Sequence, residues 1–349
     1  MKKLRMNYIR FGSDMLKSIC SIKFFGKRIP IYCEWEVTKR CNMKCFFCST
    51  LLQYDRNKMP ELSPKEALVI IDQLATLGTK MLHFSGGEPT LREDLPQLVE
   101  AAKSKNMFVF ITTNGSTPLE KMEKLLNANL IHVSIDGTED FHDSMRQAPG
   151  AFNKALETLR FLNSKNCKTQ ITTIYTPTTS YEMLEDLCDI AKKLGVKISI
   201  GILSKSIYTP MNETGKNMFD SNTSFLSEYA NTIKSLRVKY KNLITNVQPF
   251  FSIIQHGGLD SYGCRAMDIA ISLKQDGSIS FPCNGLPLQL SKGDIRSIYY
   301  DKKNVMKFGI LQGKHQFCKN CTIRCMGFVS ALLKYKGVLS ILKDYVALF

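Results

Sequence analysis

The sequence predicts an α/β protein: a parallel sheet flanked by helices, followed by a smaller cysteine-bearing part. Three observations carry this. Short apolar runs alternate with helical patterns six times between residues 31 and 240, at roughly 30-residue spacing. After about residue 240 that rhythm stops and cysteines return. The 349 residues suit two domains, or one large domain with an appendage, at roughly 150 residues per domain.

The first strand is read over Ile31-Tyr-Cys-Glu-Trp-Glu-Val37. A helix follows Ser63-Pro64, with Glu66 completing a capping box and Gly78 as its stop signal. The second strand is Met81–Phe84, and a helix spans 94–105. Met107–Thr112 and Ile131–Ile135 are the next strands, with helices over 118–128 and 151–165. Thr169–Tyr175 and Lys197–Leu203 close the series, followed by helices over 181–193 and 222–239. The expected division is an N-terminal arm at 1–30, a core domain at 31–240 and a C-terminal domain at 241–349. Parallel sheets of this kind place function at the C-terminal ends of their strands.

Composition narrows the class. Hydrophobic residues make up 44%, too many for a disordered chain, and 21 Gly with 12 Pro exclude collagen-like sequence. Lys+Arg 47 against Asp+Glu 31 gives a net charge of +16, so an anionic partner is expected. The basic residues of the first 30 positions break up every apolar run, so no secretory signal is expected. No spanning helix is expected either, and the location is read as cytoplasmic. Twelve cysteines in that compartment point to metal or cluster binding rather than disulfides.

Both ends carry apolar residues at helical spacing among basic ones. At the N-terminus these are Leu4, Tyr8, Phe11, Met15, Ile19 and Ile22. At the C-terminus they are Phe328, Leu332, Leu333, Leu339, Leu342 and Val346, interspersed with Lys334, Lys336 and Lys343. Either stripe packs on the core, as most amphipathic helices do, or lies peripherally on the membrane's cytoplasmic face.

Cys41-x3-Cys45-x2-Cys48 follows the first strand. Structural zinc wants four closed ligands, and a cubane iron–sulfur cluster ordinarily takes four thiolates. Three thiols therefore leave one iron open, or await a distant fourth ligand. Ser85-Gly86-Gly87-Glu88-Pro89 follows the second strand. Its glycines permit close backbone approach, and its carboxylate can pair with an ammonium.

Together the two motifs resemble the radical S-adenosylmethionine (SAM) superfamily, over roughly residues 31–240. The resemblance implies a partial (β/α)6 TIM-like barrel. It implies a [4Fe-4S] cluster on Cys41, Cys45 and Cys48, with SAM on the fourth iron. Reductive cleavage of SAM would then give a 5′-deoxyadenosyl radical, with a flavodoxin or ferredoxin as reductant. By the same resemblance Gly86, Gly87 and Glu88 receive the SAM ammonium, and Thr113 and Asn114 contact SAM. Ser134 and Asp136 suit the ribose, Arg146 the carboxylate, and the backbone at Phe47 the adenine.

Cys264-x18-Cys283 and Cys318-x2-Cys321-x3-Cys325 resemble the superfamily's auxiliary-cluster extensions, called SPASM or, when shortened, twitch. One auxiliary [4Fe-4S] cluster is expected. Cys264, Cys283, Cys318 and Cys321 match best, with Cys325 as a replacement ligand and zinc as the alternative. Cys20, Cys33, Cys167 and Cys188 are assigned no chemistry, and His142 and His256 are read as structural.

The expected substrate is a lipid, isoprenoid or small metabolite. The C-terminal cysteine spacing is loosely similar to that of radical SAM enzymes that join an adenosyl group to a hopanoid lipid. The alternative is a peptide, modified by thioether formation or epimerisation. Only about 30 residues precede the first strand, against about 80 for the usual peptide-binding domain, which lowers that reading. An iron–sulfur or zinc protein that binds nucleic acid is a third class. No RNA-binding module is found, so no nucleic-acid partner is expected.

Overall fold

A computed structural model describes residues 8–48, 59–203, 223–246, 248–284, 286–315, 318–319 and 321–334. Six strands run parallel in chain order: β1 (Tyr32–Thr38), β2 (Met81–Gly86), β3 (Phe108–Thr113), β4 (Leu130–Ser134), β5 (Thr169–Tyr175) and β6 (Lys197–Ile202). Three more follow: β7 (Ala270–Leu273), β8 (Ile279–Cys283) and β9 (Leu286–Ser291). All lie in one sheet of order β6-β5-β4-β3-β2-β1-β7-β8-β9. The sheet is open at β6 and β9, so the first six strands make an incomplete barrel.

Side chains alternate along β1. On β1, Cys33, Trp35 and Val37 are fully buried beneath the outer helices. Tyr32, Glu34 and Glu36 point the other way, into the barrel. The barrel interior therefore receives every second side chain, as strand pleat requires.

The outer helices are α2 (Pro64–Leu77), α3 (Leu95–Ser104), α4 (Leu119–Glu123), α5 (Glu139–Arg146), α6 (Ala151–Ser164) and α7 (Tyr181–Leu194). The Ser63–Glu66 capping box opens α2, whose Ala67, Ile70, Ile71, Leu74 and Leu77 are buried. Gly78 closes it at φ 93°, a conformation that favours glycine. The helix expected over 118–128 is shorter, Leu119–Glu123. Past its end Asn129 Oδ1 accepts from the Val109 N–H and Lys103 Nζ, both at 2.8 Å.

Past residue 240 the chain adds to both ends of the sheet. Ile198 on β6 donates to Leu243 O and accepts from Thr245 N–H. Helices α8 (Thr223–Lys239), α9 (Gln248–Gln255), α10 (Leu259–Tyr262) and α11 (Ala266–Ile269) lead to β7. That strand pairs parallel with β1, from Tyr32↔Ala270 to Trp35↔Leu273. Helices α12 (Ile295–Tyr300), α13 (Lys302–Gly309) and α14 (Arg324–Leu332) complete the described chain. The sequence rhythm ends at 240, but the sheet does not.

At the N-terminus, α1 (Tyr8–Phe25) lies against the N-terminal ends of β2 and β3. Phe11 packs on Phe108 with ring centroids 5.9 Å apart, and Asp14 pairs with Lys80 at 3.6 Å. Phe11, Ile19 and Ile22 are buried. The stripe that sequence offered for a lipid surface thus packs on the barrel instead. At the other end Leu332 and Leu333 are likewise buried. Leu4, Lys336, Leu339, Leu342, Lys343 and Val346 lie outside the described residues. Among the described residues no helix is long and apolar enough to cross a membrane.

Phe84 is fully buried on the outer face of β2, its ring 5.9 Å from Trp35. Phe84→Ala should cost about 3–5 kcal/mol of stability in urea unfolding, from lost burial plus the cavity left behind. A loss below about 1 kcal/mol would mean the β1–β2 outer layer is loosely packed.

Candidate active site

The cysteine loop starts where β1 ends, and the glycine pair fixes its base. Gly87 N–H donates to Thr38 O at 2.8 Å, and Glu88 N–H to Arg40 O at 2.7 Å. A Cβ on Gly86 would sit 2.3 Å from Thr38 O, and one on Gly87 2.2 Å from Arg40 O. Only glycine lets the two backbones lie this close. The loop is also held from above. Lys44 and Phe46 N–H donate to the Arg146 and Met145 carbonyls at the end of α5. Asn114 Nδ2 donates to Asn42 Oδ1 at 2.9 Å, and Asn42 Nδ2 to Ser116 Oγ at 2.7 Å.

Two buried carboxylates tie the strand ends together. Glu88 Oε1 accepts from Thr90 N–H, Thr90 Oγ1 and Thr113 Oγ1, and Oε2 from Asn114 N–H. Burial pushes its carboxyl upward against these bonds. The ammonium expected on Glu88 is thus limited to Oε2, which carries a single donor. Asp136 follows β4. Its Oδ2 accepts from Arg146 Nε at 2.8 Å and Nη2 at 2.7 Å. Its Oδ1 accepts from Thr173 Oγ1 and Ile174 N–H. Burial alone would raise the Asp136 carboxyl, but the Arg146 guanidinium outweighs it and holds it below the usual range. His142 Nδ1 accepts the Asp136 N–H at 3.0 Å; burial holds this imidazole down at about 4, so it is neutral.

A cavity of about 270 Å³ opens at the C-terminal ends of the six parallel strands. Cys41, Cys45, Phe47, Cys48, Gly86, Gly87, Glu88, Thr113, Asn114, Ser134 and Arg146 all line it. Asp136, expected at a ribose, is not among the lining residues: its two oxygens are engaged by Arg146, Thr173 and Ile174. Arg146 also stands 5.5 Å over the Phe47 ring.

The five C-terminal cysteines separate into four and one. Cys264, Cys283, Cys318 and Cys321 face a small apolar cavity of about 30 Å³ beside Pro282 and Met326. Burial pushes the Cys264 thiol up to about 12 and raises those of Cys318 and Cys321. Gly313 closes the group: a Cβ there would sit 3.1 Å from Cys264 Cβ. Cys325 lies apart, on the wall of the large cavity, its Sγ 3.5 Å from Glu34 Oε2. A role as replacement ligand does not match that placement.

Sequence reading missed Glu34, Glu36 and His83, which also line the large cavity. Burial and the neighbouring Glu36 push the Glu34 carboxyl up to about 7. Burial would raise Glu36 too, but Lys274 and Lys39 hold it at about 2. His83 bridges Tyr32 Oη at 3.0 Å and Thr112 Oγ1 at 2.8 Å. The available signal was period two: Tyr32, Glu34 and Glu36 alternate with apolar residues on a strand buried on both faces.

The donor set fits an iron–sulfur cluster with one iron left to another ligand: three soft thiols on one loop, beside a guanidinium able to pair a carboxylate. Among the described residues no three His, Cys, Asp or Glu side chains stand close enough together to share one metal ion.

The family model described as Radical SAM superfamily matches residues 35–202. Fe-coproporphyrin III synthase of Methanosarcina barkeri is 36% identical over 163 residues, covering 46% of this chain and 41% of that protein. A PqqA peptide cyclase of Granulibacter bethesdensis is 37% identical over 131 residues, covering 36% and 35%. The chain thus spans less than half the length of these relatives. Streptococcus suis SuiB bound to S-adenosylmethionine superposes with TM-score 0.66 at 19% identity, over 93% of this chain and 79% of SuiB. At that identity the likeness is one of fold.

Two outcomes are expected. Asp136→Asn should cost about 3–5 kcal/mol, because it leaves the Arg146 charge buried without its partner. The wild-type contribution is full above the ordinary carboxylate range and is lost as pH falls through the depressed value, so the variant should flatten the acid limb of stability against pH. Glu34 has the opposite sign. Its raised pKa makes stability fall as pH climbs from 4.5 to about 7. Urea titrations should show Glu34→Gln gaining on wild type across that window by up to about 3 kcal/mol. A constant difference from pH 4 to 8 would mean Glu34 ionises as it does in water.

Proposed function

We propose, from the match of residues 35–202 to the radical SAM family model, that this chain is an enzyme that reductively cleaves SAM and modifies an unactivated carbon. The observation that carries the reading is the convergence of three thiols, the Gly86–Gly87 turn and Arg146 on one cavity at the C-terminal strand ends. Cys41, Cys45 and Cys48 would hold a [4Fe-4S] cluster, and Cys264, Cys283, Cys318 and Cys321 an auxiliary one. When bound, the first cluster and SAM supply a one-electron cleavage of the sulfonium that yields methionine and a 5′-deoxyadenosyl radical.

The chain's own groups have distinct tasks. Arg146, kept charged and aimed by Asp136, presents its guanidinium to the carboxylate of the bound amino acid. Asn114 and Ser134 offer hydrogen bonds at the neighbouring strand ends. Glu34 lies across the cavity beside the Cys325 thiol, where a substrate carbon would sit, and its carboxyl can hold or release a proton near neutral pH. The external electron source is a protein such as flavodoxin or ferredoxin.

A peptide substrate is supported by the PqqA peptide cyclase relative, ahead of the lipid or small metabolite expected from sequence. The second reading, an apolar small molecule, is favoured by the largely apolar cavity described below.

The test is anaerobic reconstitution, reduction and mass spectrometry for 5′-deoxyadenosine. Cys45→Ala should lower its formation at least about a thousandfold while an auxiliary iron signal persists. Retained cleavage would refute the assignment of the first cluster. Cys318→Ala should spare uncoupled cleavage and reduce product on the true substrate; full product yield would remove the second cluster from the reaction.

A further inference from the structure

The barrel has a second cavity at its opposite end, and no part of the cysteine loop lines it. It measures about 180 Å³ and lies at the N-terminal ends of the strands. Met81, Phe108, Phe110, Leu130, Phe250 and Phe328 give it a mainly apolar surface, with Lys168, Gln170 and Asn246 also on its wall. The polar groups there are largely engaged: Asn129 Oδ1 serves Val109 and Lys103, and Tyr32 Oη pairs with His83. His83 and Cys325 line both cavities, so the lower one adjoins the upper.

Helix α1 lies beside this lower mouth. Phe11 packs on Phe108 of the cavity wall, and Lys168 of that wall stands 5.9 Å over the Tyr8 ring. The outer face of α1 exposes large apolar residues. Ile9 is 88% exposed, Leu16 51%, Phe24 71% and Phe25 74%. Arg10 and Lys17 are exposed among them, and Lys27 just beyond. The helix's one acid, Asp14, is turned inward onto Lys80. Exposed large apolar residues interleaved with cations, and no acid among them, suit a helix lying in an anionic lipid interface.

We propose that the lower mouth of the barrel takes up the hydrocarbon chain of an anionic membrane lipid, with the outer face of α1 seated on the bilayer beside it. The two observations meet at Phe11, which belongs to the helix and touches the cavity wall. Apolar walls reward burial of hydrocarbon, and the basic face favours a bilayer bearing negative headgroups. Lipid uptake here requires neither SAM nor a cluster, so its test is separate from that of the radical chemistry.

Vesicle flotation of the full chain tests the helix. Phosphatidylcholine vesicles containing phosphatidylglycerol should bind it, and binding should weaken as salt rises. Ile9→Glu/Leu16→Glu/Phe24→Glu together should reduce binding at least about tenfold. Equal binding to pure phosphatidylcholine, or no loss in the triple variant, would overturn the docking face. Spin-labelled stearic acid tests the cavity. Leu130→Trp, and Phe328→Trp from a different wall, should each weaken stearate binding about tenfold or more while vesicle binding persists. Stearate binding left intact in whichever of the two folds as wild type by circular dichroism would overturn the site.

Discussion

The upper end of the barrel depends on one buried ion pair. Asp136 leaves β4, takes two hydrogen bonds from β5 and holds the Arg146 guanidinium at the end of α5. The carbonyl of that same arginine then receives the cysteine loop through Lys44. Four separate stretches of chain are referenced to a single carboxylate. Such a pair is costly to desolvate and is justified by the positions it fixes rather than by net stability. His142 completes the arrangement by accepting the Asp136 N–H, so its neutrality is part of the design.

The barrel interior divides by height. On β2 to β4 the inward-facing residues at the strand starts are carbon: Met81, Phe108 and Leu130. Two residues further on come Glu34, His83, Phe110 and His132. Two more bring Glu36, Ser85, Thr112 and Ser134. On these strands polarity rises toward the cysteine loop, in steps set by the two-residue pleat. Glu34 belongs to the middle step, where neither bulk water nor a full set of polar partners is at hand. That position accounts for its reluctance to ionise, whereas Glu36, one step higher, meets two ammonium groups.

Much of this was legible in the sequence. The six parallel strands announced themselves as apolar runs, because both faces of each are covered. Ser63, Glu66 and Gly78 marked a helix through local chemistry alone. The cysteine and glycine motifs located the upper cavity because their spacing is itself the structural requirement. Other features depend on distant partners and left no local mark. The strand Ala270–Leu273 is four residues long and gains its identity only beside β1. The separation of Cys325 from its four neighbours follows from which face of α14 meets the barrel, and a three-residue spacing does not encode that. Asp136 read as a ligand because its position after β4 is right. Its engagement by Arg146, ten residues later, could not be seen without the fold. On α1 helical spacing was read correctly, but of two apolar stripes the buried one was singled out.

The pairing of β1 with β7 also bears on the order in which the chain can assemble. During synthesis β1 emerges among the first elements, and its partner on one side, β2, follows within some fifty residues. Its partner on the other side is more than two hundred residues away. Until then Tyr32–Trp35 presents an unpaired backbone edge, the kind of surface that recruits strands from other chains. Only when β7 arrives does β1 change from a border of the sheet into an interior strand. The C-terminal segment is therefore a lock as well as a cysteine-bearing unit: a chain that stops short of it keeps a sticky margin next to its own cysteine loop.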